Sequence, residues 1–269
     1  MELDNILKDV RDWVREVGRI QRENLGKENL HIEIKSSEVD LVTEIDKLSE
    51  EFFLRQIAKK YPDHSILSEE SGEKENLRSE YRWIIDPLDG TTNFAQGLPI
   101  FSISVALQHR KETVLGVIYV PMLDLLFEAI KGRKAFVNGK RMSVGVKNNM
   151  KECLLSTGFP YDQSQKTDNN TNYFAHFVPR TRGIRRLGSA AYDLANVAAG
   201  ILDGHWELNL RIWDVAAGIL LVEEAGGEVI FLEEKRGISF IVGNKIVAKM
   251  IHKEIKYLDK QESRVLPIE

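Results

Sequence analysis

Arg82-Trp83-Ile84-Ile85-Asp86-Pro87-Leu88-Asp89-Gly90-Thr91-Thr92-Asn93-Phe94 carries an apolar run into two acids and then at once into Gly-Thr-Thr. Tyr81 to Ile85 read as a buried strand. Pro87 has no amide hydrogen, so it is expected to take the chain out of regular structure, leaving Asp86 and Asp89 at the strand's carboxyl end. Ligand crevices of α/β proteins lie at that end. Gly90 lets the backbone approach a ligand closely, and the amides of Gly90, Thr91 and Thr92 would open a short helix. Partial positive charge collects at such an end and attracts anions. Carboxylates beside an anion site suit hard cations such as Mg²⁺, which bind a few carboxylates together with substrate phosphate oxygens. The joint reading is metal-assisted chemistry on a phosphate ester.

Asp-Pro and Asp-Gly pairs are also ordinary turn punctuation, so the reading rests on their combination with other segments. Trp213-Asp214 starts a helical pattern that a Gly226-Gly227 pair ends, and there Asp214 has the alternative role of a helix cap. Ile66-Leu-Ser-Glu69-Glu70-Ser-Gly72 ends an apolar stretch in paired acids. Lys35-Ser-Ser-Glu-Val-Asp40-Leu-Val-Thr43-Glu-Ile-Asp46 adds a fourth block. In this order, from about Lys35 to Gly227, the four blocks closely resemble the inositol monophosphatase family of Mg²⁺-dependent, lithium-sensitive phosphatases.

The 269 residues fit one compact unit, since nothing along the chain is low-complexity, repeated or linker-like. Two subdomains are expected within it, approximately residues 1–150 and 151–269. Lys and Arg number 37 against 41 Asp and Glu, so the basic excess of a dedicated nucleic-acid binder is missing. The opening Met-Glu-Leu-Asp-Asn-Ile-Leu-Lys carries neither a basic lead nor a signal-type apolar run, and no stretch has the length of a membrane span. The expected compartment is the cytoplasm. The single cysteine, Cys153, reads as a buried filler rather than a nucleophile. The six histidines lack close ligand spacing, which argues against zinc.

Leu3, Ile6, Leu7, Val10, Val14 and Val17 recur at helical steps, predicting an amphipathic helix over residues 2–23. Asp40 to Val42 should be extended, with Thr43 capping a helix that Tyr61-Pro62 stops. Strands are expected at Phe101 to Leu107, Thr113 to Tyr119 and Leu125 to Ile130, with a hairpin turn at Val137-Asn-Gly-Lys140. Beyond Cys153, strands at 154–157, 204–208 and 228–231 alternate with helices near 167–178, 189–199 and 213–225. The pattern by itself supports mixed α and β; the resemblance implies a layered αβαβα sandwich with the metal site where its halves meet.

The resemblance also implies roles. Glu69, Asp86, Asp89, Asp214 and the Leu88 carbonyl would hold two or three Mg²⁺ ions, with Glu69 preferred to Glu70 as the direct ligand. Thr91 and Asp46 would orient a metal-activated water that attacks phosphorus directly, although Asp46 also reads as a first-turn helix acid. Lys35 and the Ser36-Ser37 turn would belong to a loop beside the site. Asp89, Gly90, Thr91, Thr92, Gly188, Ser189, Ala190, Glu207, Arg211 and Asp214 would contact substrate, with Glu207 accepting hydroxyl hydrogen bonds from inositol. The implied activity is hydrolysis of myo-inositol 1-phosphate and related sugar or polyol phosphates by a homodimer. Arg185-Arg186 and Arg211 are either surface cations or contacts for a second phosphate, which keeps fructose 1,6-bisphosphate open as an alternative substrate. A regulatory binding protein on the same fold is the non-enzymatic alternative.

Overall fold

A computed structural model of the chain describes residues 3–27, 31–34, 41–161, 166, 169–232 and 236–265, with side chains to residue 261 in the last helix. Lys35, Ser36, Ser37 and Asp40 lie outside the described residues, as do 167 and 168.

Helices α1 (Leu3–Asn24) and α2 (Glu44–Lys60) lie on one face of an eight-stranded sheet. That sheet is built from β3 (Ser65–Ser68), β4 (Gly72–Lys74), β5 (Tyr81–Asp89), β6 (Ser102–His109), β7 (Glu112–Val120), β8 (Leu125–Ile130), β9 (Ala135–Val137) and β10 (Lys140–Arg141), in the order β10-β9-β8-β7-β6-β5-β3-β4. Two short strands, β1 (Ile32–Ile34) and β2 (Leu41–Thr43), form a separate ribbon, and α3 (Thr91–Ala95) follows β5. The second sheet has the order β12-β11-β13-β15-β14, from β11 (Leu154–Thr157), β12 (Gly183–Arg185), β13 (Gly204–Leu210), β14 (Glu228–Phe231) and β15 (Ile238–Gly243). Helices α5 (Ala190–Ala198) and α6 (Ile212–Glu224) fill the space between the sheets, while α4 (Thr171–Phe177) and α7 (Lys245–Val265) cover the far side.

Alternation along β5 explains the layering. Trp83 and Ile85 pack with Val10, Trp13, Phe53 and Ile57 of the outer helices, whereas Ile84 packs with Leu194, Val215 and Leu221 of the inner ones. A strand buried on both faces reads as a continuous apolar run, not an alternating one. Phe240 and Val242 of β15 join the inner cluster; Ile241 joins Trp206, Val247 and Ile251 outside. Each fully buried Ile, Leu, Val or Phe contributes about 1.5–3 kcal/mol, so these three clusters hold the αβαβα stack.

Most expected elements fall where the periodicity puts them. Thr43 caps α2, accepting from Ile45 N while Asp46 closes the capping box. Near 167–178 the described helix is shorter, Thr171–Phe177, and Val178-Pro179 continue it as a tighter turn. The expectation at Pro87 was wrong: β5 runs through it to Asp89. A register shift against β6 falls between Asp86 and Asp89, and proline is tolerated in such a bulge. No helix of the described residues is long and apolar enough to cross a membrane.

Candidate active site

The β5 bulge aims two acids differently. Asp86 shares the inward parity of Ile84 and is only 2% exposed, with Leu88 N donating to its Oδ1 at 3.0 Å. Three residues later, Asp89 turns to the amino end of α5. Its carboxylate accepts from Ser189 Oγ at 2.7 Å and from the amides of Ala191 and Ala190 at 2.7 and 3.3 Å. A negative side chain at a helix amino end is favoured by the dipole and satisfies orphan amides. The Ala190 amide is therefore directed at Asp89.

Gly90 joins β5 to α3 at φ +100°, and a Cβ there would stand 3.0 Å from the Gly188 carbonyl and 3.2 Å from that of Ile100. Glycine permits both the left-handed backbone and the close approach of the β5 and α5 segments. One residue on, Thr91 Oγ1 lies 2.8 Å from Asp46 Oδ1 and 3.1 Å from the Leu88 carbonyl. Asp46 Oδ2 meanwhile accepts from the amide and hydroxyl of Thr43. Asp46 thus serves both as a capping acid and as the partner of Thr91. Burial raises its pKa, against the lowering effect of the Thr43 and Thr91 hydrogen bonds.

Glu69 closes the site from the turn after β3, where its amide donates to the Ile85 carbonyl at 3.2 Å. The amides of Glu70 and Ser71 both donate to Glu50 at 3.1 Å, which anchors this turn on α2. Asp214 sits in the first turn of α6 and accepts from Arg211 N at 2.7 Å. Burial first, then repulsion from neighbouring acids, pushes Asp86 and Asp214 well above the usual carboxylate range. Asp89 is raised for the same reasons, against the lowering effect of Ser189 and Ala191.

These groups face a cavity of about 600 Å³ between the two sheets. Glu69, Asp86, Leu88, Asp89, Gly90, Thr91, Gly188, Ser189, Ala190, Glu207, Arg211 and Asp214 all line it. Glu70 and Arg185 do not, and Asp46 is fully buried behind Thr91. Thr92, in the first turn of α3, is exposed and is not among the residues that line the cavity. Sequence reasoning missed Gly158, Phe159, Tyr161, Asp193, Asn209 and Arg236, which line the same cavity. Gly158-Phe159-Pro160 directly after a predicted strand was the one usable signal.

No three His, Cys, Asp or Glu side chains among the described residues form a ready-made metal cluster. The donor chemistry still fits Mg²⁺. Oxygen ligands alone face the cavity at this end, and the mutual repulsion that opposes ionisation of the buried acids is the repulsion a divalent cation relieves. An ion held there would complete its shell with the Leu88 carbonyl, phosphate oxygens and water.

Residues 2–262 match the model of the inositol monophosphatase family. The chain is 42% identical over 222 residues to the Nus factor SuhB of Pasteurella multocida, 82% of each chain. It is 40% identical over 235 residues to the fructose-1,6-bisphosphatase/inositol-1-monophosphatase of Aquifex aeolicus, 87% of this chain and 89% of that one. Among solved structures, the IMPase of Thermotoga maritima superposes with a TM-score of 0.86 at 34% identity, covering 96% of this chain and 99% of that one.

Proposed function

Because this chain belongs to the inositol monophosphatase family and is a phosphatase, we propose that it hydrolyses phosphate monoesters of polyols, with myo-inositol 1-phosphate as the representative substrate, in a Mg²⁺-dependent reaction. The observation that carries this reading is the meeting of Glu69, Asp86, Asp89 and Asp214 with the Thr91–Asp46 pair on one cavity. Glu69, Asp86, Asp89, Asp214 and the Leu88 carbonyl are the groups that would hold the cations. Bound Mg²⁺ supplies neutralisation of phosphate charge and acidification of water.

The chain's own residues do the rest. Thr91 Oγ1, tied to Asp46, is placed to accept a proton from the attacking water while passing its own to the carboxylate. Capping fixes Asp46, since Thr43 engages its second oxygen. Asp89 fastens the end of β5, just before Thr91, to the amino end of α5 on the cavity wall. Glu207 offers a carboxylate acceptor to substrate hydroxyls. Water is the nucleophile, so no phosphoenzyme forms.

A second substrate is favoured by one feature, the arginines at the cavity mouth. Arg186, Arg211 and Arg236 line the same cavity as the acids, and guanidinium groups match a phosphate bidentately. Fructose 1,6-bisphosphate would use them for its distal phosphate. The reading further includes a homodimer in the cytoplasm, the dimer being checked by sedimentation equilibrium. Retention of every acid named above favours catalysis over a purely regulatory binding role.

The test is phosphate release from myo-inositol 1-phosphate and from fructose 1,6-bisphosphate, with Mg²⁺, with EDTA and with lithium. Mg²⁺-dependent, lithium-sensitive release that favours the inositol ester supports the main reading, and preference for the bisphosphate supports the second. No Mg²⁺-dependent release from either ester overturns both.

A further inference from the structure

Glu207 rests in a slot shaped on two sides. On one side is Gly158, just after β11, where an added Cβ would stand 1.7 Å from Glu207 Oε1 and 2.3 Å from Cδ. Only a glycine lets the carboxylate lie against the backbone there. On the other side is His205, two residues earlier on β13 and so on the same face. Its ring is wholly buried, with Nε2 3.2 Å from Glu207 Oε2. That contact has the distance of an ion pair without the alignment of a full hydrogen bond.

The other ring nitrogen is also held. Nδ1 lies 2.9 Å from Ser156 Oγ, its neighbour across the β11–β13 ladder. Ser156 in turn lies beside Asp193 of α5, a buried acid on the cavity wall whose pKa it lowers. Glu207 and Asp193, both on the cavity wall, thus have His205 and Ser156 buried behind them. Buried polar groups are costly unless they are satisfied, and an apolar side chain would fill the His205 position without that cost. The hydrolytic step described above uses none of His205, Ser156 and Asp193.

We propose that His205 is a positioning residue for substrate selection, holding the Glu207 carboxylate against Gly158 in one orientation from which it accepts the hydroxyl groups of a polyol phosphate. The proposal rests on the reading of Glu207 as the group that meets those hydroxyls. Ser156 fixes the ring plane, so Nε2 keeps its aim. Burial works against a charge on the ring, yet Glu207 and Asp193 together raise the His205 pKa, which favours a donor at Nε2.

The experiment compares His205→Phe, His205→Gln, Gly158→Ala, Glu207→Gln and the His205→Phe/Glu207→Gln double variant. Each is assayed on myo-inositol 1-phosphate and on p-nitrophenyl phosphate, an ester with no alcohol hydroxyls. His205→Phe and Gly158→Ala are expected to raise KM for the inositol ester about tenfold, with kcat and the aryl ester changed by less than about twofold. His205→Gln, which restores an N–H donor, should recover most of the loss, and the double variant should be no worse than Glu207→Gln alone. Equal losses on both esters, or additive losses in the double variant, overturn the proposal. If His205→Phe does not fold, Gly158→Ala decides, because it displaces the same carboxylate from the opposite side. Selectivity lost in Glu207→Gln but kept in the His205 and Gly158 variants removes this inference alone, whereas unchanged selectivity in Glu207→Gln removes the role of Glu207 with it.

Discussion

Thr91 donates its hydroxyl to Asp46 across 2.8 Å, joining the first turn of α3 to the first turn of α2 although the residues are 45 apart in sequence. Each partner is fixed by a different local device, Asp46 by its capping box and Thr91 by the turn at Gly90. The pair separates catalysis from stability. Thr91→Ala should lower kcat by about 10²- to 10⁴-fold, as loss of a proton-transfer group does, with little change in thermal stability. Asp46→Asn should match that loss and also weaken the α2 cap by up to about 1 kcal/mol. Steady-state kinetics beside thermal melts check both, and a kcat near wild type in either variant removes the pair from the reaction.

Asp89→Asn leaves an acceptor for the Ala191 amide but no charge for a cation. Turnover should vanish while the melting temperature in EDTA stays close to wild type, and calorimetry should show weakened Mg²⁺ binding. Normal Mg²⁺ affinity in this variant would take Asp89 out of the ligand set.

Gly90→Ala forces a side chain into a left-handed backbone and against two carbonyls at 3.0 and 3.2 Å. Strain of about 1–3 kcal/mol should appear as a lower midpoint in urea. Thr91 is the next residue, so kcat should fall as well; an unchanged kcat would show that the turn does not set the position of Thr91.

Asp193 yields a pH prediction. Burial pushes its carboxyl up to about 7, helped by Glu207 and opposed by His205 and Ser156. The folded state thus prefers the protonated acid, and its contribution to stability is present below the ordinary pKa of about 4 and lost as pH rises to about 7. Asp193→Asn, neutral throughout, should gain stability relative to wild type across that interval. Thermal melts in EDTA from acid to neutral pH would show the difference widening, and parallel curves would contradict it.

Arg186→Ala and Arg211→Ala test the cavity mouth. If a distal phosphate binds there, each should raise KM for fructose 1,6-bisphosphate about tenfold while changing KM for myo-inositol 1-phosphate little. Equal changes on both esters would leave these arginines as general electrostatic attractors.

The strands and helices with regular period were legible, because a side chain's burial repeats every two or 3.6 residues and leaves its mark locally. Helix α1, with Ile6, Leu7, Val10, Val14 and Val17 buried at helical steps, is the clearest case. Pro87 misled because proline forbids a ladder hydrogen bond, and the sequence does not reveal that a bulge would remove the need for one. Strand β15 and helix α7 had no part in the expectation, though β15 pairs with both β13 and β14.

The same division holds for the site. Residue type and order alone determined the acids, the Gly-Thr turn and the family resemblance, since donor chemistry and chain-adjacent geometry are properties of a short segment. Which amide Asp89 would engage, that Thr92 is exposed, and that His205 and Gly158 close on Glu207 were decided by tertiary structure. Those contacts join β5 to α5 and the segment after β11 to β13, and such relations exist only once the two sheets have closed around the inner helices.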